Sequence, residues 1–259
     1  MKGEIKTSEK MLEDIMVLYR TKVMDNDAVL RWDFINILNH FFTKQYGGLQ
    51  EDLFEVVTLA NNNKDMFTKN ILKSLLGKIF FDRGDAKRAL EIYNEQITYF
   101  AQEKIALGAL LTWYLIAQAT LNQPQSALEI AAQALEVAQN PKIDNYFFAV
   151  MLKMLIAQAS MELNDYETAK NNIESAIRQA QKSGLNDLTA RLYYLYGKYF
   201  NEFGQVKSPE QASHLASAIK IYGKALEAAQ KLQNAALQEQ IQKSVTNLKS
   251  FAKLNSIQV

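Results

Sequence analysis

The stretch LIAQAT, at Leu115–Thr120, returns almost unchanged as LIAQAS at Leu155–Ser160, forty residues later. The alanine at the third position of each copy belongs to a longer series, because Gly77 lies forty residues before the first and Gly197 forty residues after the second. Large apolar residues flank each of these four small residues in a pattern typical of a buried helix. A small residue at the same place in four helices predicts that another helix crosses closely there.

A second helical pattern follows each of these helices after a short break. The first and third breaks contain Gly84-Asp85 and Asn164-Asp165, and each second pattern begins with an alanine. In the first and third patterns, an aromatic or aliphatic residue follows four positions after that alanine. The four alanines are Ala89, Ala127, Ala169 and Ala218. The predicted unit is therefore a helix, a short turn and a second helix, repeated four times.

This combination resembles the tetratricopeptide repeat. The sets that match it best are Gly77, Gly84-Asp85, Ala89 and Tyr93 in one repeat, and Ala157, Asn164-Asp165-Tyr166, Ala169, Ile173 and Ala176 in another. The usual repeat has about 34 residues, and the forty-residue spacing is similar to the longer variant of kinesin light chain, Pins-type scaffolds and MalT. The resemblance implies an all-α, right-handed superhelical solenoid of helix-turn-helix repeats.

The spacing divides the chain into three parts. We expect N-terminal helices in 1–69, with a degenerate repeat among them, and amphipathic patterns at 7–23 and 27–44. We expect a capping helix in 231–259, where Leu232, Leu237, Ile241, Val245, Leu248 and Phe251 keep helical spacing on one side. The four repeats between these parts are predicted at about 70–104, 105–144, 145–184 and 185–230.

Two repeats depart from the pattern. The second has a turn that is two residues shorter, with Pro124 in place of the Gly-Asp pair. The fourth carries about nine extra residues around 204–216, since Ala218 follows Gly197 by 21 positions instead of 12. An insertion of this kind maps to a loop on one face of a repeat array, or it is ordinary variation in length.

Composition excludes several classes of site. The chain has no cysteine, which removes disulfides and thiolate chemistry, and its two histidines, His40 and His214, have no metal-binding spacing. The net charge of +1 gives no electrostatic indication of nucleic acid binding. We find no Gly-rich phosphate loop and no nucleophile motif, so the sequence predicts no cofactor, no metal and no catalytic residues.

One uncharged stretch superficially resembles a membrane span. It runs from Ile105 to Leu121, but it is shorter than the roughly 20 residues that a span needs and contains Thr112, Gln118 and Thr120. We therefore expect a buried central helix. The charged N-terminus lacks the apolar core of a signal peptide, so we expect a cytoplasmic protein without a membrane partner.

The resemblance also implies a binding groove lined by the first helix of each repeat. In tetratricopeptide proteins, the lining positions lie three before, one after and four after the small residue, with one more a turn earlier. Carried onto this sequence, they give ten groove residues: Ser74, Lys78, Tyr114, Gln118, Met154, Gln158, Arg191, Tyr194, Lys198 and Asn201. The same rows contain six further residues: Ile71, Phe81, Leu111, Leu121, Met151 and Met161. Core packing is the alternative for every Met and aromatic member of the rows, including Tyr114, Met154 and Tyr194.

This predicted groove has no acidic member, cations near its ends and a centre of Tyr, Met and Gln. Such a lining suits a protein or peptide segment with apolar anchors and some negative charge. The Lys, Asn and Arg clamp that the family uses for chaperone tails is not matched. Homo-oligomerisation stays open.

Three functions compete at this level. The first is a non-enzymatic scaffold that binds a protein or peptide segment in the groove. The second is an effector-sensing or peptide-sensing regulatory domain of a bacterial-type transcription regulator. The third, an enzyme on a helical scaffold, lacks any cluster of converging polar groups in the sequence.

Overall fold

The computed structural model describes residues 30, 33–37 and 49–258. Within these residues every regular element is a helix and no strand occurs, which confirms the all-α class. Residues 33–37 are helical, and the rest of the predicted N-terminal helices, including His40, lies outside the described residues. The helices are α1 Leu49–Asn62, α2 Met66–Asp82, α3 Ala86–Gln102, α4 Ala106–Ala119, α5 Pro124–Ala138, α6 Tyr146–Glu162, α7 Tyr166–Lys182, α8 Asn186–Gln205, α9 Gln211–Lys231 and α10 Ala235–Leu254.

The helices group into two compact units, each described by itself. The N-terminal unit contains α1 to α4, in which each helix packs on the next and α2 also packs on α4. The C-terminal unit contains α5 to α10, packed in sequence, with α6 also on α8 and α8 also on α10. Each unit is thus a stack of helical hairpins.

The turn motif stops one helix and starts the next within three residues. Gly84 and Asn164 take positive φ values of 90° and 60°, the left-handed conformation that ends a helix. The aspartate that follows caps the next helix, because its carboxylate accepts the backbone N–H three residues later. The bonded pairs are Asp85 with Arg88 at 3.1 Å and Asp165 with Thr168 at 3.1 Å.

The small residues lie where the helices of a hairpin approach most closely. A side chain at Gly77 would place its Cβ 2.5 Å from Cε1 of Tyr93, and one at Gly197 would lie 2.5 Å from Cε1 of Tyr222. Both tyrosines stand four residues after the first alanine of their second helix and are almost fully buried. In the third repeat, the small residue is Ala157 and the matching position holds the smaller Ile173, and both are fully buried. A larger residue on one helix is therefore matched by a smaller one on its partner.

The extra residues of the fourth repeat lengthen its helices as well as its connection. α8 extends three residues further past its small residue than α6 does, and α9 begins four residues earlier relative to its first alanine than α7 does. The connection, residues 206–210, is two residues longer than its counterpart at 163–165. Leu215 packs against Gly204, and the rings of Phe203 and His214 lie 5.2 Å apart. The insertion thus forms mostly an additional helical turn, packed across the hairpin, and only in small part a loop.

The helix predicted as a cap, α10, packs one side against the preceding helices. Leu237, Ile241, Leu248 and Ala252 of α10 are buried in one core with Tyr222 of α9. Val245 and Phe251 pack against the same core and are partly buried. The opposite side of α10 is mostly polar and exposed, as expected for the last helix of a stack.

Among the described residues, no helix combines the length and the apolar character that a membrane crossing requires. The uncharged stretch at 105–121 forms α4, which has 14 residues and is packed on α2 and α3.

Candidate functional site

The helices α2, α4, α6 and α8, which the repeat spacing predicts as the first helices of the four repeats, supply all ten predicted groove residues. We call the surface of α2 and α4 in the N-terminal unit, and that of α6, α8 and α10 in the C-terminal unit, the first-helix face of that unit. The rows predicted from the sequence run along these helices. The structure separates their members into core residues, ion-paired residues and residues with free polar atoms.

Four members of the wider rows belong to the core. They are Ile71, Leu111, Met151 and Met161, each no more than 9% exposed. Core packing, the alternative that the sequence left open for the Met and aromatic members, therefore holds for Met151 and Met161.

Ser74 is also buried, with no exposed surface. Its Oγ lies 3.3 Å from Oγ1 of Thr112 on α4, and each hydroxyl is also bonded to a carbonyl of its own helix. Because each hydroxyl has a single hydrogen and can donate it to the carbonyl of its own helix, the contact between the two oxygens reflects close packing of α2 on α4 and is not needed to satisfy either group. In this structure Ser74 offers no surface to a ligand.

Lys78 lies on the same helix and is paired with a carboxylate. Its Nζ contacts the Asp82 carboxylate one turn further along and lies 5.5 Å from the ring centroid of Phe81. The Lys78 side chain is only 13% exposed. The positive charge at this position is therefore largely offset within α2.

Gln118 of α4 has an acceptor without a donor. Its Oε1 is buried and has no hydrogen-bond partner, although the residue as a whole is only half-buried. Tyr114, one turn earlier on the same helix, is half-buried as well. The N-terminal unit thus presents an unsatisfied amide oxygen on its first-helix face.

The C-terminal unit contains the other predicted residues. Met154 and Gln158 are half-buried on α6. Arg191 of α8 donates from Nε to Oδ2 of Asp187 at 2.6 Å, while Oδ1 of Asp187 accepts from Asn234 at 3.3 Å. Arg191 is therefore held in an ion pair within α8.

Tyr194 connects the face to the C-terminal helix. Its hydroxyl lies 3.1 Å from Oγ of Ser244 on α10, and its ring centroid is 5.8 Å from that of Tyr222. Ser244 is half-buried and was not predicted from the sequence. The forty-residue count does not extend to α10, because the insertion in the fourth repeat shifts the register.

Lys198 is exposed, and an acidic residue missed by the sequence prediction lies one turn from it. Burial raises the pKa of the Glu202 carboxyl, the positive charge of Lys198 lowers it and the negative charge of Glu162 raises it. Glu202 stands one position after the last counted row, so the prediction of an acid-free groove did not include it. The face of the C-terminal unit therefore has a carboxylate close to the positive charge of Lys198.

Asn201 repeats the feature found at Gln118. It lies on α8, and its Oδ1 is buried without a hydrogen-bond partner. The residue is half-buried, so the side chain is not enclosed in the core. Each unit thus has one unsatisfied amide oxygen at a position predicted from the repeat spacing.

Among the described residues, no three side chains of the His, Asp and Glu type are grouped closely enough to hold a metal ion.

Solved structures with the same fold are found at low sequence identity. The crystal structure of a Rap protein complexed with competence and sporulation factor has a TM-score of 0.59 and 11% identity, covering 95% of this chain and 81% of that chain. The apo form of RapI has a TM-score of 0.61 and 14% identity, covering 97% and 96%. Aspartyl phosphate phosphatase F from Bacillus subtilis has a TM-score of 0.60 and 15% identity, covering 98% and 67%.

The fold is a tetratricopeptide-like helical repeat. This part of the predicted resemblance is confirmed, while the long-repeat variant of kinesin light chain and MalT stays a prediction. No protein-family model and no curated protein matches the chain. At identities of 11% to 15%, the similarity concerns the fold alone.

Proposed function

We propose that this chain is a non-enzymatic receptor that binds peptide segments on the first-helix faces of its two units, each taken by itself. The observation that carries the proposal is the pair of unsatisfied amide oxygens, Oε1 of Gln118 and Oδ1 of Asn201. Both occupy positions at which the repeat resemblance implies ligand contact, and each lies on a different unit.

Such oxygens are costly in a protein without a ligand. A buried acceptor that has lost its water and found no donor costs about 1–3 kcal/mol. Most buried polar groups in native proteins have a partner, so an exception requires a reason. We infer that a bound peptide supplies that reason: because both side chains are half-buried, a rotation of the amide group brings its oxygen to the surface, where a backbone N–H of a peptide is a fitting donor.

The charges on the face favour a peptide that is recognised through N–H donors and apolar side chains. Lys78, Arg191 and Lys198 each have a carboxylate one turn away on the same helix. Their positive charges are therefore partly offset. Two features of the partner were expected from the sequence, apolar anchors and some negative charge, and these ion pairs give the negative charge less support than the anchors. Half-buried Tyr114 and Met154 provide adaptable apolar surface for such anchors.

The comparisons support binding of an effector by this fold. One of the similar structures is a Rap protein complexed with competence and sporulation factor. The second function considered from the sequence is a regulatory domain that senses such an effector. This domain would bind its ligand on the same face as a scaffold does, and the two differ only in what the bound state controls. We place either role in the cytoplasm.

We favour binding over catalysis. One similar structure is an aspartyl phosphate phosphatase. The described polar groups of the face are amides, ion pairs within a helix and the hydroxyl pair of Tyr194 and Ser244, and we infer no nucleophile with an adjacent base among them. We expect the purified chain to leave aspartyl-phosphate proteins unhydrolysed.

The experiment begins with selection of peptides from a displayed random library against the purified chain. The dissociation constant of a selected peptide is then measured by fluorescence anisotropy for the wild type, Gln118→Leu and Asn201→Leu. Leucine has a similar size and removes the acceptor. Loss of one hydrogen bond predicts binding about 2- to 12-fold weaker.

Matched controls are the same substitutions on exposed positions of second helices. Gln133→Leu on α5 and Asn171→Leu on α7 change the same groups, and both residues are exposed. We expect these controls to bind as the wild type does. Equal affinity for all five proteins would show that the peptide binds elsewhere, and a library that yields no binder at all would refute peptide binding.

A further inference from the structure

Lys153 is the single cation in the middle of α6, and it is not one of the ten predicted groove residues. Its side chain is half-buried and reaches to α7. There Nζ lies 3.0 Å from Oγ of Ser175 and 3.0 Å from Oε1 of Gln179. Both partners are neutral.

Within the described chain, no carboxylate lies within ion-pair distance of Lys153. On α7, the charge of Arg178 acts on Lys153, and the carboxylate of Glu174 accepts a hydrogen bond from the Tyr196 hydroxyl at 2.7 Å and lies 4.0 Å from Arg178. The carboxylates of α5, Glu129 and Glu136, are exposed. The ammonium form of Lys153 therefore lacks the counter-ion that a half-buried lysine usually has.

These surroundings favour the neutral amine. Burial lowers the pKa of Lys153, and the positive charge of Arg178 lowers it further. A neutral amine has two N–H groups and one lone pair. If the two N–H groups bond to Ser175 and Gln179, the lone pair has no donor from the protein and is the reactive group.

We propose that Lys153 is a site of covalent acylation by small acyl phosphates. The amine attacks the acyl carbonyl, a C–N bond forms and the C–O bond to phosphate breaks. Inorganic phosphate leaves with the electron pair of that bond, and the proton released from nitrogen passes to water. The product is a neutral amide that keeps one N–H for Ser175 or Gln179 and, unlike the amine, is not protonated beside Arg178.

The test is competitive labelling of the full chain with a limiting amount of isotope-labelled acetyl phosphate across a range of pH, read by peptide mass spectrometry. Lys170 and Lys182, which are exposed on α7, are the internal references. We expect Lys153 to be labelled faster than either near neutral pH, by about threefold or more, and to reach its half-maximal rate at a lower pH. Labelling of Lys153 no faster than that of the references would overturn the proposal.

A variant separates the surroundings from simple accessibility. Gln179→Glu keeps the shape of the partner and supplies the missing carboxylate, so the ammonium form is stabilised. We expect this variant to lose the excess labelling at Lys153 while Lys170 and Lys182 react as before. Unchanged labelling of Lys153 in a variant with a wild-type circular dichroism spectrum would refute the role of the neutral partners.

Discussion

Replacement of Gly77 by alanine tests the packing rule on which the repeat depends. The new Cβ would lie 2.5 Å from Cε1, 3.1 Å from Cδ1 and 3.2 Å from Cζ of Tyr93. Carbon atoms in contact are normally about 3.5–4.0 Å apart. Because Tyr93 has no exposed surface, its ring has no solvent space into which it can move.

Two opposing effects set the size of the change. Overpacking of a core typically costs about 1–3 kcal/mol. Alanine in place of glycine within a helix raises the free energy of unfolding by roughly 0.5–1 kcal/mol. We therefore expect Gly77→Ala to lower the free energy of unfolding by up to about 2.5 kcal/mol, with a central value of about 1 kcal/mol.

The assay is urea unfolding followed by circular dichroism at 222 nm, with two further variants. Gly223→Ala on α9 is the control, since no atom lies within 4 Å of a Cβ at this helical glycine, and we expect a gain of about 0.5–1 kcal/mol. The double variant Gly77→Ala/Tyr93→Ile copies the pair Ala157 and Ile173 of the third repeat, and we expect it to be more stable than Gly77→Ala. If Gly77→Ala were as stabilising as Gly223→Ala, the close crossing of α2 and α3 would be refuted.

Two carboxyl groups make stability depend on pH in opposite directions. The hydrogen bond from Thr168 lowers the pKa of Asp165 below its usual 3.8. This cap therefore stabilises the protein above that pH, and the stabilisation is lost as the pH falls through the lowered pKa. Asparagine caps a helix without titrating, so the difference in the free energy of unfolding by which Asp165→Asn is less stable than the wild type should shrink or disappear as the pH is lowered. Burial raises the pKa of Glu202 above its usual 4.5, so the protein loses stability as the pH rises from 4.5 through the raised pKa and the buried carboxyl group becomes charged. Glu202→Gln should therefore be more stable than the wild type at pH 7 and not at pH 3.5, in urea unfolding at each pH, and a difference independent of pH would contradict the raised value.

The helical hairpins could be predicted because their signals are local. The spacing of apolar residues, the small residue at the crossing and the Gly-Asp turn each act within a few residues. The insertion in the fourth repeat was harder to interpret. Gly204 and Pro209 suggest a loop, whereas Gly204 lies inside α8 because Leu215 packs against it across the hairpin.

The face was only partly predictable, since the exposure of a side chain depends on its neighbours. Ser74 is in a predicted lining row, but Thr112 on the next first helix covers it and bonds to it. Ser244 reaches Tyr194 from α10, whose register the repeat count could not give. Gln118 and Asn201 were found from the sequence, but the lack of a partner for their oxygens is visible only in three dimensions.

The central claim is that the first-helix face keeps amide oxygens unsatisfied so that a peptide can bind them. The most direct measurement is the free energy of unfolding of the wild type and Gln118→Leu, each with and without a saturating amount of a selected peptide. Without peptide, we predict that Gln118→Leu is more stable by about 1 kcal/mol, because a buried acceptor without a donor is removed. With peptide, we predict that the wild type gains more stability than the variant does. A variant that is less stable alone and gains as much as the wild type from the peptide would contradict the claim.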